Sequence, residues 1–476
     1  MIKVVTDGGT APWWQWPAVD LAAAYRSGRT TPVEVLDSCL ERIEVVNPQL
    51  NAFVALRRDA ARADAATSAA RFAAGAPLSM LDGLPLAIKD NIASADMPTV
   101  WGSPAGLHIQ PVRDELVLAR ARALGALVVG KTNVPEFTLE GTTGNPVFGI
   151  TRNPWNPALT PGGSSGGSVA AVASGMVPLA LGTDGGGSTR RPASHTGLVG
   201  LKPSIGAIAR EHGLPPLLLD FEVIGPIARH VGDVQLLFDA LRGPHAGDLA
   251  SFAAQAAAQA GQPLRERLRV LYVPTFDDAP VDAEIATSCG QAVHRLRSLG
   301  HTVEVGELPV DIRRGTSGWP VIGQMGLAWL FRHHPAWRDG ASAKYREMAE
   351  AGARLAAAEL WQVLEDAAQM RRDAARLFER HDLVVTPAAA ALPWPADEAY
   401  PPVIDGRPVG PRGHGFFTAW VNVAGLPAVA LPCRPSASGL PIGVQCIAAY
   451  GRDSALLQVA AGFERGAPEG WRWPPL

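Results

Sequence analysis

Cysteine is scarce in this chain: four residues in 476, Cys39, Cys289, Cys433 and Cys446, none closely spaced. That excludes a disulfide framework and a zinc ribbon, and it makes a reducing cytoplasm the expected compartment. Charge of one sign is lacking as well. Lys and Arg number 42 against 45 Asp and Glu, a net charge of −3, with no basic block to draw nucleic acid electrostatically. No apolar run is long enough for a bilayer. The longest, Val169 to Leu181, is interrupted by Ser174, Gly175 and Pro178 and falls short of the ~20 residues a span needs. The first sixteen residues have no basic start and apolar core of a secretion signal, so they read as an N-terminal tail. The chain shows no internal repeat.

Glycine, with 50 residues, is plentiful, and it clusters. One cluster is Gly162-Gly163-Ser164-Ser165-Gly166-Gly167-Ser168, and the other is Gly182-Thr183-Asp184-Gly185-Gly186-Gly187-Ser188. The apolar run between them reads as a buried helix feeding a strand. Glycine permits positive φ and close approach of backbone N–H groups to a ligand, so each nest can set a serine hydroxyl beside bare donors.

Around the nests the pattern alternates strand and helix. Ala18 to Ala74 is helical in character, with a Thr31-Pro32 start and Leu36, Leu40, Ile43 and Val46 at helical spacing. Leu84 to Lys89 is an apolar strand that ends, unusually, on a lysine. Glu115 to Leu124 reads as helix and Ala126 to Gly130 as strand; later come strand 268–273, helix 282–299 and strand 301–305. Ala341 to Arg380 carries a long apolar helical face. Leu392 to Gly415, rich in proline and glycine, has the length of a functional cover. The class is α/β, with no boundary between domains.

Three chemistries compete for the nests. A phosphate loop requires lysine after its second glycine, and Gly167 is followed by Ser168. A hydrolase elbow, G-x-S-x-G, is formally present at 162–166, but the preceding Asn153 to Pro161 is proline-rich and has almost no strand formers. The third pairs both serines with Lys89. A serine hydroxyl needs a base, and lysine serves only when neutral, which requires lowering its pKa by ~3 units through burial. Each residue also has a plainer role: Lys89 as a strand-end lysine reaching solvent, Ser164 and Ser188 as caps, and Cys433 and Cys446 as packing. Thr183, Asp184 and Ser165 read as hydrogen-bonding braces of the loops, and Arg152, Asn153 and Trp155 as structural.

Gly83 to Asn91, the Gly162–Ser168 nest and Gly182 to Pro192 together resemble the amidase signature family. Supporting matches are Gly130 to Phe137, Thr151 to Trp155, Gly197 to Pro203 and Asn422 to Ala428, and the likeness runs from about Leu21 to Phe463. It implies a single α/β/α sandwich over residues 17–476 behind the tail 1–16, with a large twisted mixed sheet flanked by helices on both faces. The catalytic core would occupy about 80–205 and a variable pocket region about 305–415.

In that family two serines 24 positions apart work with a lysine, the spacing of Ser164 and Ser188 here. The resemblance therefore implies Ser188 as nucleophile, Ser164 on a cis peptide bond as proton shuttle, and Lys89 as base. Backbone N–H groups of Gly185, Gly186, Gly187 and Ser188 would form the oxyanion hole. A linear carboxylic amide would be cleaved to acid plus ammonia or amine through an acyl-serine, with no metal or cofactor. The alternatives are a glutaminase-type component of a tRNA-dependent amidotransferase and a non-catalytic binding relative. The expected partner is a small-molecule amide, without nucleic acid or membrane, with a homodimer left open.

Departures from the family bear on substrate. Position 185, commonly threonine, is glycine, and His195-Thr196 stands where relatives often have Phe and Cys. His195 is expected to line the substrate pocket. Arg191 takes a position where one branch of the family grips a substrate carboxylate, although Arg190 and Arg191 also suit a salt bridge. Trp319, Trp329, His333 and His334 are further pocket candidates in the variable region.

Overall fold

Apolar strands alternating with helices build one sheet of eleven strands in a computed structural model that describes residues 11–261, 265–466 and 471–476. The strands are β1 (Phe53–Leu56), β2 (Pro85–Lys89), β3 (Leu127–Thr132), β4 (Leu179–Asp184), β5 (Val199–Lys202), β6 (Val223–Ala228), β7 (Arg269–Tyr272), β8 (Thr302–Val305), β9 (Leu383–Pro387), β10 (Ala428–Pro432) and β11 (Gly443–Ile447). Their spatial order is β1-β3-β2-β4-β6-β5-β10-β11-β9-β7-β8. β2 runs parallel to both neighbours, with Leu86 opposite Val128 and Leu179. From β4 across to β9 the pairings are antiparallel, and β9, β7 and β8 are parallel again. The sheet is mixed, as the family resemblance implies.

Helices cover both faces, so the central strands are apolar on both sides. Alternate residues serve different layers. Leu86, Ile88, Val128 and Leu181 join one core cluster, whereas Ala87, Val129 and Ala180 pack with Val169 and Val172 of the helix Gly166–Ala173 on the other. The helix Pro32–Leu50 begins as its sequence predicts. Thr31 Oγ1 accepts the Glu34 N–H at 3.2 Å and Glu34 Oε2 accepts the Thr31 N–H at 2.8 Å.

Three segments differ from the sequence reading. The stretch expected to be helical through Ala74 contains β1, a four-residue strand that Asn51 introduces at φ 52° and that pairs with the edge of β3. Its stability comes from that pairing, not from its own pattern. The long helical region divides into Ala343–Arg354 and Ala357–Arg380 at the extended residues Leu355 and Ala356. The cover 392–415 contains a short hairpin, Val403–Ile404 with Arg407–Pro408. Residues 1–10 of the expected tail lie outside the described residues; the rest of it forms the turn Trp13–Gln15, and Trp13 and Trp16 pack on the core. Among the described residues no helix is long and apolar enough to cross a membrane.

The sheet brings the two serine nests and the lysine together. β2 delivers Lys89 at its C-terminal end, and its parallel neighbour β4 ends at Asp184, inside the second nest. Carboxyl ends of adjacent parallel strands are where α/β sheets open a crevice.

Candidate active site

Lys89 is fully buried, and its Nζ lies 2.8 Å from Ser164 Oγ, 2.8 Å from Thr183 Oγ1 and 3.2 Å from Thr183 O. Burial draws its pKa from 10.5 down to about 7; the carboxylates of Glu222 and Asp184 oppose that shift, and Arg210 adds to it. A lysine so placed exchanges its proton near neutrality.

Ser164 follows a cis Gly163–Ser164 peptide bond, and its other neighbour, Ser165, is bonded twice. Ser165 N–H donates to Ser188 O at 3.1 Å, and Ser165 Oγ donates to Thr183 O at 3.1 Å. Thr183 and Ser165 therefore tie the first nest to the second, the bracing role their sequence suggested. Asn91 Nδ2 reaches Thr183 Oγ1 at 3.1 Å from the turn after β2.

The second nest is shaped around Asp184. Its carboxylate accepts from Gly187 N–H at 2.7 Å, Thr189 N–H at 3.1 Å, Arg190 Nη2 at 2.8 Å, Arg190 Nε at 3.0 Å and Asn422 Nδ2 at 3.0 Å. Burial alone would raise this carboxyl, but Arg190, with Lys202 and Asn422, outweighs it and holds Asp184 well below the usual carboxylate range. Arg190 is itself fully buried and is held further by Gln445 Oε1 at 2.6 Å and Thr418 O at 3.1 Å. Gly187 takes φ 116°, a conformation that an L side chain rarely adopts, and Thr418 Oγ1 donates to Gly186 O at 2.7 Å.

The structure corrects one expected donor. Gly187 N–H, assigned to the oxyanion hole, is already committed to Asp184, because the turn that exposes Ser188 folds that amide inward. The N–H groups of Gly185, Gly186 and Ser188 remain as candidates. Ser188 is 8% exposed and starts the turn into the helix Arg190–Thr196.

Arg190 and Arg191 divide as the sequence left open. Arg190 is the structural ion pair. Arg191 points toward the first nest, with Nη2 3.5 Å from Gly163 O and Nε without a partner. His195 is buried, with Nε2 3.2 Å from Ala391 O and its ring edge-on to Trp394 at 5.6 Å. Burial lowers its pKa to about 4, with Arg191 adding to the shift, so it is neutral at pH 7. Of the variable-region candidates, Trp319 reaches the nest: it stacks on Phe221 at 6.0 Å, and a Cβ on Gly186 would stand 3.1 Å from its ring. Trp329, His333 and His334 pack on one another, with Trp329 46% exposed.

Sequence reasoning passed over Thr418, Gln445 and Glu222. Their signal is tertiary, since each comes from a different strand or loop. Among the described residues no cluster of three His, Cys, Asp or Glu side chains is placed to hold a metal ion. A cavity of about 570 Å³ adjoins the nest, lined by Asn91, Trp101, Phe137, Leu218 and Glu222 among others.

The family model described as amidase matches residues 34–457. The chain belongs to the amidase family. A glutamyl-tRNA(Gln) amidotransferase subunit of Symbiobacterium thermophilum is 34% identical to this amidase, covering 94% of this chain and 96% of the relative. Among solved structures, a bacterial aryl acylamidase of the amidase signature enzymes superposes with a TM-score of 0.87 at 28% identity, covering 96% of this chain and 97% of that one. The 6-aminohexanoate cyclic dimer hydrolase complexed with substrate gives 0.85 at 29% identity, covering 98% and 99%.

The amidotransferase relatives overturn one expectation. The leading sequence reading gave this amidase a small-molecule amide as partner, with no nucleic acid and a homodimer left open, whereas these relatives are by name subunits of a tRNA amidotransferase. The expectation rested on net charge and the lack of a basic block, which carry no information about a companion protein or what that protein binds.

Proposed function

We propose that this amidase hydrolyses a carboxylic amide through an acyl-serine intermediate, with Ser188 as nucleophile, Ser164 as proton shuttle and Lys89 as base. The contact of Lys89 Nζ with Ser164 Oγ at 2.8 Å, in a buried setting that draws the amine toward neutrality, is the observation that carries this reading. Ser188 Oγ attacks the amide carbonyl while its proton passes to Ser164, whose own proton moves to neutral Lys89. Backbone N–H groups of Gly185, Gly186 and Ser188 hold the oxyanion, a charge that appears only as the tetrahedral intermediate forms. Ser164 then protonates the departing nitrogen, and ammonia or amine leaves. Water repeats the sequence on the acyl-serine, releasing the acid and restoring all three groups. Asp184, Arg190 and Asn422 keep the nest in shape, while Trp319 stands beside Gly186 and Arg191 beside Gly163.

A second reading makes the amide that of glutamine and the chain a glutaminase-type component of a tRNA-dependent amidotransferase. The names of the curated relatives favour it. Both readings share the hydrolytic half-reaction, so one experiment divides them. Ammonia or amine release from aliphatic, aryl and carboxylate-bearing amides is measured for the purified chain, alone and with the other amidotransferase subunits. Turnover of several amides by the chain alone supports the first reading; glutamine turnover that needs the other subunits supports the second. Failure of every amide under both conditions overturns both.

A further inference from the structure

A second cavity, of about 330 Å³, lies apart from the nests, between the end of β10, the helix Asp453–Arg465 and the last residues of the chain. Neither catalytic serine nor Lys89 lines it. Its walls include Trp155, Leu431, Phe463 and Trp471, an aromatic and aliphatic surface of the size that accepts a small organic ligand.

Two buried donors of its lining residues, on Arg229 and Trp471, have no acceptor among the described residues. Arg229 is 1% exposed; Nη2 donates to Trp16 O at 2.7 Å and Nη1 to Val172 O at 3.4 Å, while Nε–H has no acceptor among the described residues. The Trp471 indole N–H is likewise buried without an acceptor among the described residues. Both groups pack on Trp473, with the Arg229 Cζ 4.9 Å and the Trp471 ring 5.8 Å from its ring. Arg465 and Arg472 stand exposed at the rim. Among the described residues, no carboxylate lies in ion-pairing range of Arg229, Arg465 or Arg472; Asp233 attracts Arg229 only from farther away. Glu464, the one acidic residue of the lining, instead faces His230 at 3.6 Å and accepts the Val231 N–H at 3.1 Å.

A buried cation without a close counter-ion is costly, and a guanidinium is shaped to receive a carboxylate. We infer that this cavity binds an arylcarboxylate, its ring against Trp471 and Phe463 and its carboxylate on Arg229 Nε–H. The inference is independent of the reaction proposed for the nests. The site also touches the catalytic helix from behind: Gly197, which ends the helix Arg190–Thr196, is part of the lining, and Trp155 Nε1 donates to Thr196 O at 2.9 Å.

Calorimetric titration of the full chain with sodium benzoate tests the site. Saturable binding is expected, with the neutral isostere benzamide at least about tenfold weaker because it lacks the charge. Cys433→Phe, which fills the cavity from its wall, is expected to abolish binding, and the exposed rim variant Arg472→Gln to weaken it several-fold. The rim variant carries the test should the filled cavity not fold. Absence of saturation, equal affinity for benzamide, or benzoate binding unchanged in the folded variants would overturn the inference; the last would place benzoate elsewhere, including at the serine nests.

Discussion

Lys89 and Ser164, 75 positions apart in the chain, meet at 2.8 Å in the interior. The meeting depends on two parallel strands placed side by side, β2 carrying the lysine and β4 carrying Thr183, which holds the amine from the other side. A proton shared between a buried amine and a hydroxyl is the element on which the proposed chemistry turns.

Ser188→Ala should lower kcat by about 10⁴-fold or more, since the nucleophile of a concerted unit has no substitute. The same variant should lose labelling by a fluorophosphonate while unfolding at the wild-type temperature. Labelled Ser188→Ala protein would assign the nucleophile elsewhere.

The rate should depend on the protonation of Lys89. With a pKa of about 7 in the fold, the neutral base is depleted below pH 7, so kcat/KM should fall about tenfold per pH unit on the acid side. Stability moves in the same direction, over a higher window. The folded pKa lies below the ordinary 10.5, so the unfolded chain binds more protons between those values and stability rises with pH across that window. Below pH 7 the buried charge is penalised in full. Lys89→Met should therefore be inactive yet raise Tm, most strongly below pH 7, with the gain fading toward pH 10.5.

Asp184→Asn should leave Arg190 as an uncompensated buried cation, costing about 3–5 kcal/mol. It would also weaken the acceptor for Gly187 N–H, so activity should fall even at temperatures where the variant is folded. Denaturant unfolding and steady-state kinetics check the two effects separately.

A Cβ on Gly185 would lie 2.6 Å from Leu218 Cδ1, so threonine, which the family commonly carries there, does not fit this chain unchanged. Gly185→Thr should cost about 1–3 kcal/mol and disturb the oxyanion loop. Leu218→Ala in the same chain should recover most of both losses. A double-mutant cycle with no coupling would separate the two positions.

The family was legible in the sequence because its motifs are local strings. Glycine nests announce backbone donors, and a strand that ends on lysine announces an unusual amine. The helix boundary at Thr31-Pro32 was legible for the same reason: its capping groups are three residues apart. The short strand β1 was not, because four residues carry little periodicity and acquire strand geometry only by pairing with β3. The break at Leu355 was likewise hidden within a continuous apolar pattern.

By itself, then, the sequence determined the residue types, their order and the spacing of the two serines, and it was the resemblance of these strings to a family that implied the reaction class. Only the tertiary structure decided that Gly187 N–H belongs to Asp184, that Arg190 is structural while Arg191 has an unpaired Nε, and that Leu218 occupies the space beside Gly185. Those facts depend on which atoms of distant segments come within hydrogen-bond or van der Waals range. Such contacts are set by strand order and register, which no local pattern encodes.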